Sequence, residues 1–284
     1  MKNYNEIISN IQNNVKQYII NNNLQALIIG VSGGFDSGLG CALLAPICRE
    51  LGIPLIGRYI HIESNSNEEK TRAKLIGNVF CTDFKCKDLT TEFFTLLTKA
   101  EEPNIFGGFS FIPPKEQSDK IRRGNVKVRL RMIYLYNMAQ YFKGVIIGCN
   151  NLTEHLLGFF TLGDSGDVQP FISLYKTELY ELAKVYLEQL KTDEEKIALQ
   201  SVIDAVPTDG LGITSSDVEQ FGVNTYDEVD DILMNLKCYQ NEDEWDEEIY
   251  PMLCSKYTQE SVDKVINRHK NSEFKRNYPY KVIL

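Results

Sequence analysis

Six residues concentrate the chemistry that can be read first: Ser32, Gly33, Gly34, Phe35, Asp36 and Ser37. They follow an apolar run at 26–31 (ALIIGV) and lead into small and apolar residues at helical spacing. A strand feeding a glycine turn that opens a helix can hold phosphate. Glycine lets the backbone approach closely, and the helix start presents N–H groups and the positive end of its dipole. The hydroxyls of Ser32 and Ser37 add donors, and Asp36 could hold a Mg²⁺ bridging phosphate oxygens. The string is neither GxxxxGK[ST] nor GxGxxG, so it supplies no Walker lysine. Read for structure alone, the same residues form a tight turn with Asp36 capping the helix.

Other polar groups sit where a chemical role can be asked of them. Arg58 interrupts an apolar strand at 54–62, either snorkelling at an edge or reaching for an anion. Ser64 opens a polar turn at the carboxyl end of that strand. Lys127, Arg129 and Arg131 make a basic face on a helix at 121–142, which could equally be a solvated surface. Glu154 follows the polar turn 149–151, and Asp164 and Asp167 lie in the loop after Thr161.

The elements that must position these groups alternate. Ile7, Ile8, Ile11, Val15 and Ile19 share one face of an N-terminal helix. Strands are expected at 26–31, 54–62, 84–89 and 144–148, with helices between and after them. This predicts an α/β fold: a doubly wound parallel sheet with helices on both faces. In such sheets ligands bind at the carboxyl ends of the strands, where residues 32–37, Ser64, Glu154 and the loop 161–169 would converge. Residues 101–119 and 207–217, rich in proline and glycine, read as further loops.

Composition narrows the class. A chain of 284 residues with net charge −9 lacks the overall basic balance expected of a nucleic-acid binder. No apolar run has membrane-spanning length and the N-terminus does not read as a signal peptide, so a cytoplasmic setting is expected. Seven scattered cysteines without a CxxC pair, and three dispersed histidines, suggest neither a disulfide framework nor a zinc site.

SGGFDS resembles the loop of the PP-loop ATP pyrophosphatases, which split ATP between its α and β phosphates. Four further stretches and the tail, in order, resemble the NAD synthetases. They are GNVKVRLRM (124–132), GCNNLTEHLLGFFTLGDSGD (148–167), LYKT (174–177), and PTDGL (207–211) with GVNTYDEVDDIL (222–233); the tail is HKNSEFKRNYPY (269–280). The resemblance implies a PP-loop core at 24–206 within one domain of residues 1–284, preceded by a helix at 3–23 and followed by C-terminal helices and tail at 207–284. No glutaminase domain is expected, so the ammonia would be free ammonium or come from another protein.

The implied reaction is amidation of deamido-NAD by ammonia through a NAD-adenylate, releasing AMP and pyrophosphate. ATP is the co-substrate and Mg²⁺ the cofactor. Carried over residue by residue, Ser32, Gly33, Gly34, Asp36 and Ser37 would hold pyrophosphate, and Asp36 and Glu154 the Mg²⁺. Arg58, Ser64, Lys176 and Thr208 would touch ATP, with Asp36, Glu154 and Lys176 forming the catalytic set. Asn125, Arg129, Asp164 and Asp167 would face deamido-NAD. A homodimer is implied, with the arginine-bearing helix at its interface, and neither nucleic acid nor membrane as partner. The chain departs from the pattern at Cys149, where threonine is usual, in a shorter 161–169 loop reading GDSG for GDGG, and in the third loop. Another PP-loop enzyme, or a non-catalytic nucleotide-binding dimer, is the alternative reading.

Overall fold

The computed structural model describes residues 2–63, 65–100, 116–208, 216–238 and 244–282. Helix α1 (Tyr4–Asn21) is capped by the Asn3 side chain and buries Ile8, Val15 and Ile19. Strand β1 (Leu27–Gly30) leads through the glycine turn into α2 (Phe35–Leu51), which ends on Gly52 in the left-handed conformation. Strand β2 (Leu55–His61), helix α3 (Asn67–Phe80), strand β3 (Asp83–Asp88) and helix α4 (Thr90–Ala100) follow. Helix α5 spans Glu116–Tyr141, so residues 116–119 belong to it rather than to the loop expected there. Of that loop, residues 101–115 lie outside the described residues, as do 209–215 of the third loop.

Strand β4 (Val145–Ile147) and the short α6 (Leu152–Leu156) precede α7 (Lys176–Gln189) and α8 (Asp193–Ile203). The C-terminal part holds α9 (Asp217–Phe221), α10 (Tyr226–Cys238), a π-helical turn at Trp245–Ile249, α11 (Tyr250–Lys256), α12 (Gln259–Asn271) and α13 (Glu273–Arg276).

The four strands are parallel in the order β3-β2-β1-β4. Alternation along the strands explains how both faces become apolar. Leu27, Ile29 and Leu55 pack against Leu39, Leu43, Leu182 and Leu199 on one face. Ile28, Ile56 and Ile60 pack against Phe93, Met132 and Leu135 on the other. The central strands therefore read as continuous hydrophobic runs, whereas β3, at the edge, exposes Lys85, Cys86 and Lys87. A third cluster, built on Phe221, Val229, Leu233, Leu253 and Val265, holds the C-terminal helices together. Among the described residues no helix is long and apolar enough to cross a membrane.

Because β2 and β4 flank β1 on opposite sides, the chain's crossovers diverge at the carboxyl end of β1. That is the crevice where an open α/β sheet receives its ligand.

Candidate active site

The glycine turn fills this crevice and is held by its own hydroxyls. Ser32 N–H donates to Ser37 Oγ at 3.2 Å, Gly34 N–H donates to Ser32 Oγ at 3.1 Å, and the two serine hydroxyls lie 3.0 Å apart. Gly33 has φ +86°, and a Cβ there would stand 2.1 Å from the carbonyl oxygen of Glu69. Only glycine admits both that dihedral and that approach of α3. No side chain caps the start of α2, which leaves its positive end to the cavity.

Lys176, at the start of α7, is 1% exposed. Its ammonium donates to Asp36 Oδ2 and lies 3.5 Å from Glu154 Oε1 and 5.4 Å from the ring centroids of Phe35 and Tyr226. Asn151 joins the two acids from the other side. Its amide donates to Asp36 Oδ1 at 3.1 Å, while its Oδ1 accepts the Glu154 N–H at 3.0 Å as the cap of α6. Burial and the Asp36 charge push the Glu154 carboxyl up to about 8, against the pull of Lys176. Burial also opposes the lysine's charge, but Asp36 and Glu154 outweigh it and hold the ammonium above its ordinary range.

The lysine's mounting comes from the C-terminal layer. Asp230 of α10 is 1% exposed and accepts from the Thr153 hydroxyl, and from the Thr177 N–H and hydroxyl at 2.9 and 2.8 Å. Thr153 Oγ1 in turn accepts the Lys176 N–H at 2.9 Å. A buried carboxylate thus fixes the starts of α6 and α7 together, satisfying orphan N–H groups of α7.

One cavity of about 440 Å³ brings together Ser32, Gly34, Asp36, Ser37, Arg58, Asn125, Glu154, Asp164, Lys176 and Thr208 of the residues expected from the sequence. Gly33 supports the turn from behind. Ser64 lies outside the described residues. Thr208 is exposed and donates to Glu69 Oε1 at 3.3 Å. Asn125 Oδ1 accepts from the Thr161 hydroxyl at 2.6 Å. Asp164 accepts the Thr161 N–H at 2.8 Å, and burial pushes its carboxyl up to about 6 despite that bond.

Three of the expected site residues make their hydrogen bonds elsewhere in the structure. Arg58 borders the cavity, but its guanidinium turns to the start of β3, donating to Asp83 Oδ2 at 2.6 Å and to the Gly57 and Asp83 carbonyls. It forms an ion pair with Asp83 across β2 and β3. Asp167 is exposed and lies off the cavity; its Oδ2 accepts the Ile146 N–H at 2.8 Å, extending the edge of β4. Arg129 also lies off the cavity, exposed on α5, with its Nε donating to the Leu162 carbonyl at 3.2 Å.

The cavity also contains groups the sequence did not single out as ligands. Arg131 is half-buried, donating to the Ile60 carbonyl at 3.0 Å and to Asn65 Oδ1 at 2.8 Å. Arg72, Asp217, Arg268 and Lys275 line it as well. Their signal was weak because arginines in charged helices ordinarily mark solvated faces. Among the described residues no histidine lines this cavity, and burial with the charges of Asp36 and Glu154 pushes the Cys149 thiol upward, away from the nucleophilic thiolate. The arrangement suits binding and stabilising a polyphosphate, with the nucleophile supplied by a substrate.

Residues 7–279 match the model of the family described as NAD synthase. The NH(3)-dependent NAD(+) synthetase of Finegoldia magna is 30% identical over 251 residues, covering 87% of this chain and 91% of the relative. That of Thermoplasma acidophilum is 31% identical over 258 residues, covering 89% and 88%. Among solved structures, the NMN synthetase of Francisella tularensis superimposes with a TM-score of 0.74 at 22% identity, covering 100% of this chain and 98% of the other. The NH3-dependent NAD synthetase of Campylobacter jejuni does so with a TM-score of 0.70 at 20% identity, covering 99% and 100%. Taken with the glycine turn and its acid–lysine–acid cluster, the match over nearly the whole length makes this chain a member of the NAD synthase family.

Proposed function

We propose that the ATP-dependent amidation of deamido-NAD is carried here by Asp36, Glu154 and Lys176 together with the glycine turn. The observation that carries this is the burial of Lys176 between the two acids at the mouth of that turn. The nicotinate carboxylate of deamido-NAD attacks the α-phosphorus of ATP, the bond to the bridging oxygen breaks, and pyrophosphate leaves with the electron pair. Ammonia then attacks the adenylated carboxyl, AMP departs, and a proton from nitrogen passes to solvent. Ser32, Gly34, Ser37 and the start of α2 receive the departing pyrophosphate. Thr208 contacts ATP, and Asn125 and Asp164 contact the dinucleotide.

Asp36 and Glu154 are hard oxygen donors with one lysine between them, and burial first, then the Asp36 charge, raises the Glu154 carboxyl. Two such donors suit a Mg²⁺ completed by phosphate oxygens and water. When bound, that ion neutralises phosphate charge. The adenylate is hydrolysable, so the reaction requires that water be excluded from the cavity while it is present.

A homodimer along α5 belongs to the same reading. Arg129, Ile133 and Tyr136 recur at helical spacing, with Ile133 63% and Tyr136 43% exposed. The cytoplasm, which supplies ATP, is its setting. The deciding assay measures pyrophosphate release from ATP with deamido-NAD and ammonium, each omitted in turn, and with nicotinate mononucleotide as an alternative acid. Release over many turnovers that requires all three components supports the reading. Indifference to deamido-NAD overturns it.

A further inference from the structure

We infer that Arg72 is an additional ligand of the ATP polyphosphate, taking the part in which the sequence cast Arg58. This deepens the reading above and rests on it. Arg72 lies on α3 one turn beyond Glu69, the residue whose carbonyl abuts Gly33. From there its Nε donates to the Gly33 carbonyl at 2.8 Å, and the side chain, half-buried, lines the cavity beside Ser32, Gly34 and Ser37. The hydrogen bond ties the guanidinium to the very turn that cradles phosphate.

The remainder of the fork is uncommitted. Among the described residues Nε alone of Arg72 makes a hydrogen bond, and no carboxylate forms an ion pair with it. The nearby acids are engaged elsewhere. Glu69 accepts from Ser66, Asn65 and Thr208, while Asp36 and Glu154 face Lys176. Two terminal nitrogens therefore stay available on a cation anchored at the loop. A guanidinium is suited to bidentate phosphate recognition.

Charge balance gives this arginine its purpose. Lys176 is already compensated by two half-buried acids, and Arg58 by Asp83. The departing pyrophosphate gains charge as its bond to the α-phosphorus breaks, and a cation fixed at the glycine turn lowers that barrier.

The test uses the full chain with Arg72→Gln and Arg72→Lys, checked for intact folding by thermal melts, and inorganic pyrophosphate as an inhibitor competing with ATP. Glutamine keeps a donor near the Gly33 carbonyl but removes the charge; lysine keeps the charge but loses the planar fork. We expect Arg72→Gln to weaken pyrophosphate inhibition and raise the ATP KM by about tenfold or more, leaving the deamido-NAD KM and AMP affinity within about twofold. Arg72→Lys should recover most of the loss. Unchanged pyrophosphate inhibition in Arg72→Gln overturns the inference, as does a glutamine that restores function where lysine does not, since that marks a tether only. A wild-type enzyme whose ATP use pyrophosphate does not compete with would instead overturn the phosphate-cradle reading beneath it.

Discussion

Asn151 and Asp36, 115 positions apart, are joined by a 3.1 Å hydrogen bond from the asparagine amide to the carboxylate. The other end of the same amide caps the helix that presents Glu154. One side chain therefore sets the spacing of both acids. Asn151→Asp keeps the capping oxygen but turns a donor into a negative charge facing Asp36. We expect kcat to fall by at least about tenfold with a smaller loss of stability, read by steady-state kinetics and urea unfolding.

Removing the lysine strands both acids. Lys176→Met should abolish turnover and cost about 3–5 kcal/mol of stability near pH 8. The deficit should grow at pH 9.5, above the value of about 8 that Glu154 has beside the lysine, because only there does the wild type hold an ionised Glu154–Lys176 pair that the variant lacks. Urea titrations at the two pH values measure the difference.

Gly33→Ala asks for a side chain at φ +86° against a backbone carbonyl 2.1 Å away. Because backbone cannot yield as a side-chain tip can, the turn must move away from α3. ATP affinity should drop by at least about tenfold, and equilibrium nucleotide binding will show it.

Arg58→Leu separates the expected role from the observed one. The guanidinium is held by Asp83, so the ATP KM should stay within about twofold while stability falls by about 1–3 kcal/mol. A large rise in the ATP KM, with stability intact, would restore the phosphate-binding role.

Asp164 supplies a pH dependence whose sign is fixed. Its folded-state value of about 6 lies above the ordinary value near 4 of an unfolded aspartate. Folding thus favours the neutral carboxyl, and wild-type stability is lost as pH rises from about 4 to about 6, then levels. An asparagine side chain at this position cannot titrate but still accepts the Thr161 N–H. The Asp164→Asn variant should therefore gain on wild type by about 1–3 kcal/mol across that window, as paired denaturation curves would reveal.

Local order explains what was legible. The apolar run at 26–31, the serine–glycine turn and the helix beyond it lie within one stretch of chain, so period and turn chemistry carry them. Glu154 and Lys176 were placed by resemblance, and the structure brings them to Asp36. For Arg58, strand alternation gives the face a side chain leaves from, not which end of the sheet its long stem turns toward. For Asp167, a turn aspartate can cap a neighbouring strand as readily as meet a ligand. Asn151, Asp230 and Arg72 went unread because the partners that give them meaning lie tens of residues away or more, at distances only the fold closes.

Asp230 has a consequence beyond the bonds it accepts. The helix that carries it contributes no strand to the sheet, yet it grips the hinge from which Lys176 projects. Sliding α10 against α6 and α7 would stretch three hydrogen bonds at one carboxylate. The two layers are thereby keyed to each other, and the ammonium's position reports on the seating of the entire C-terminal half.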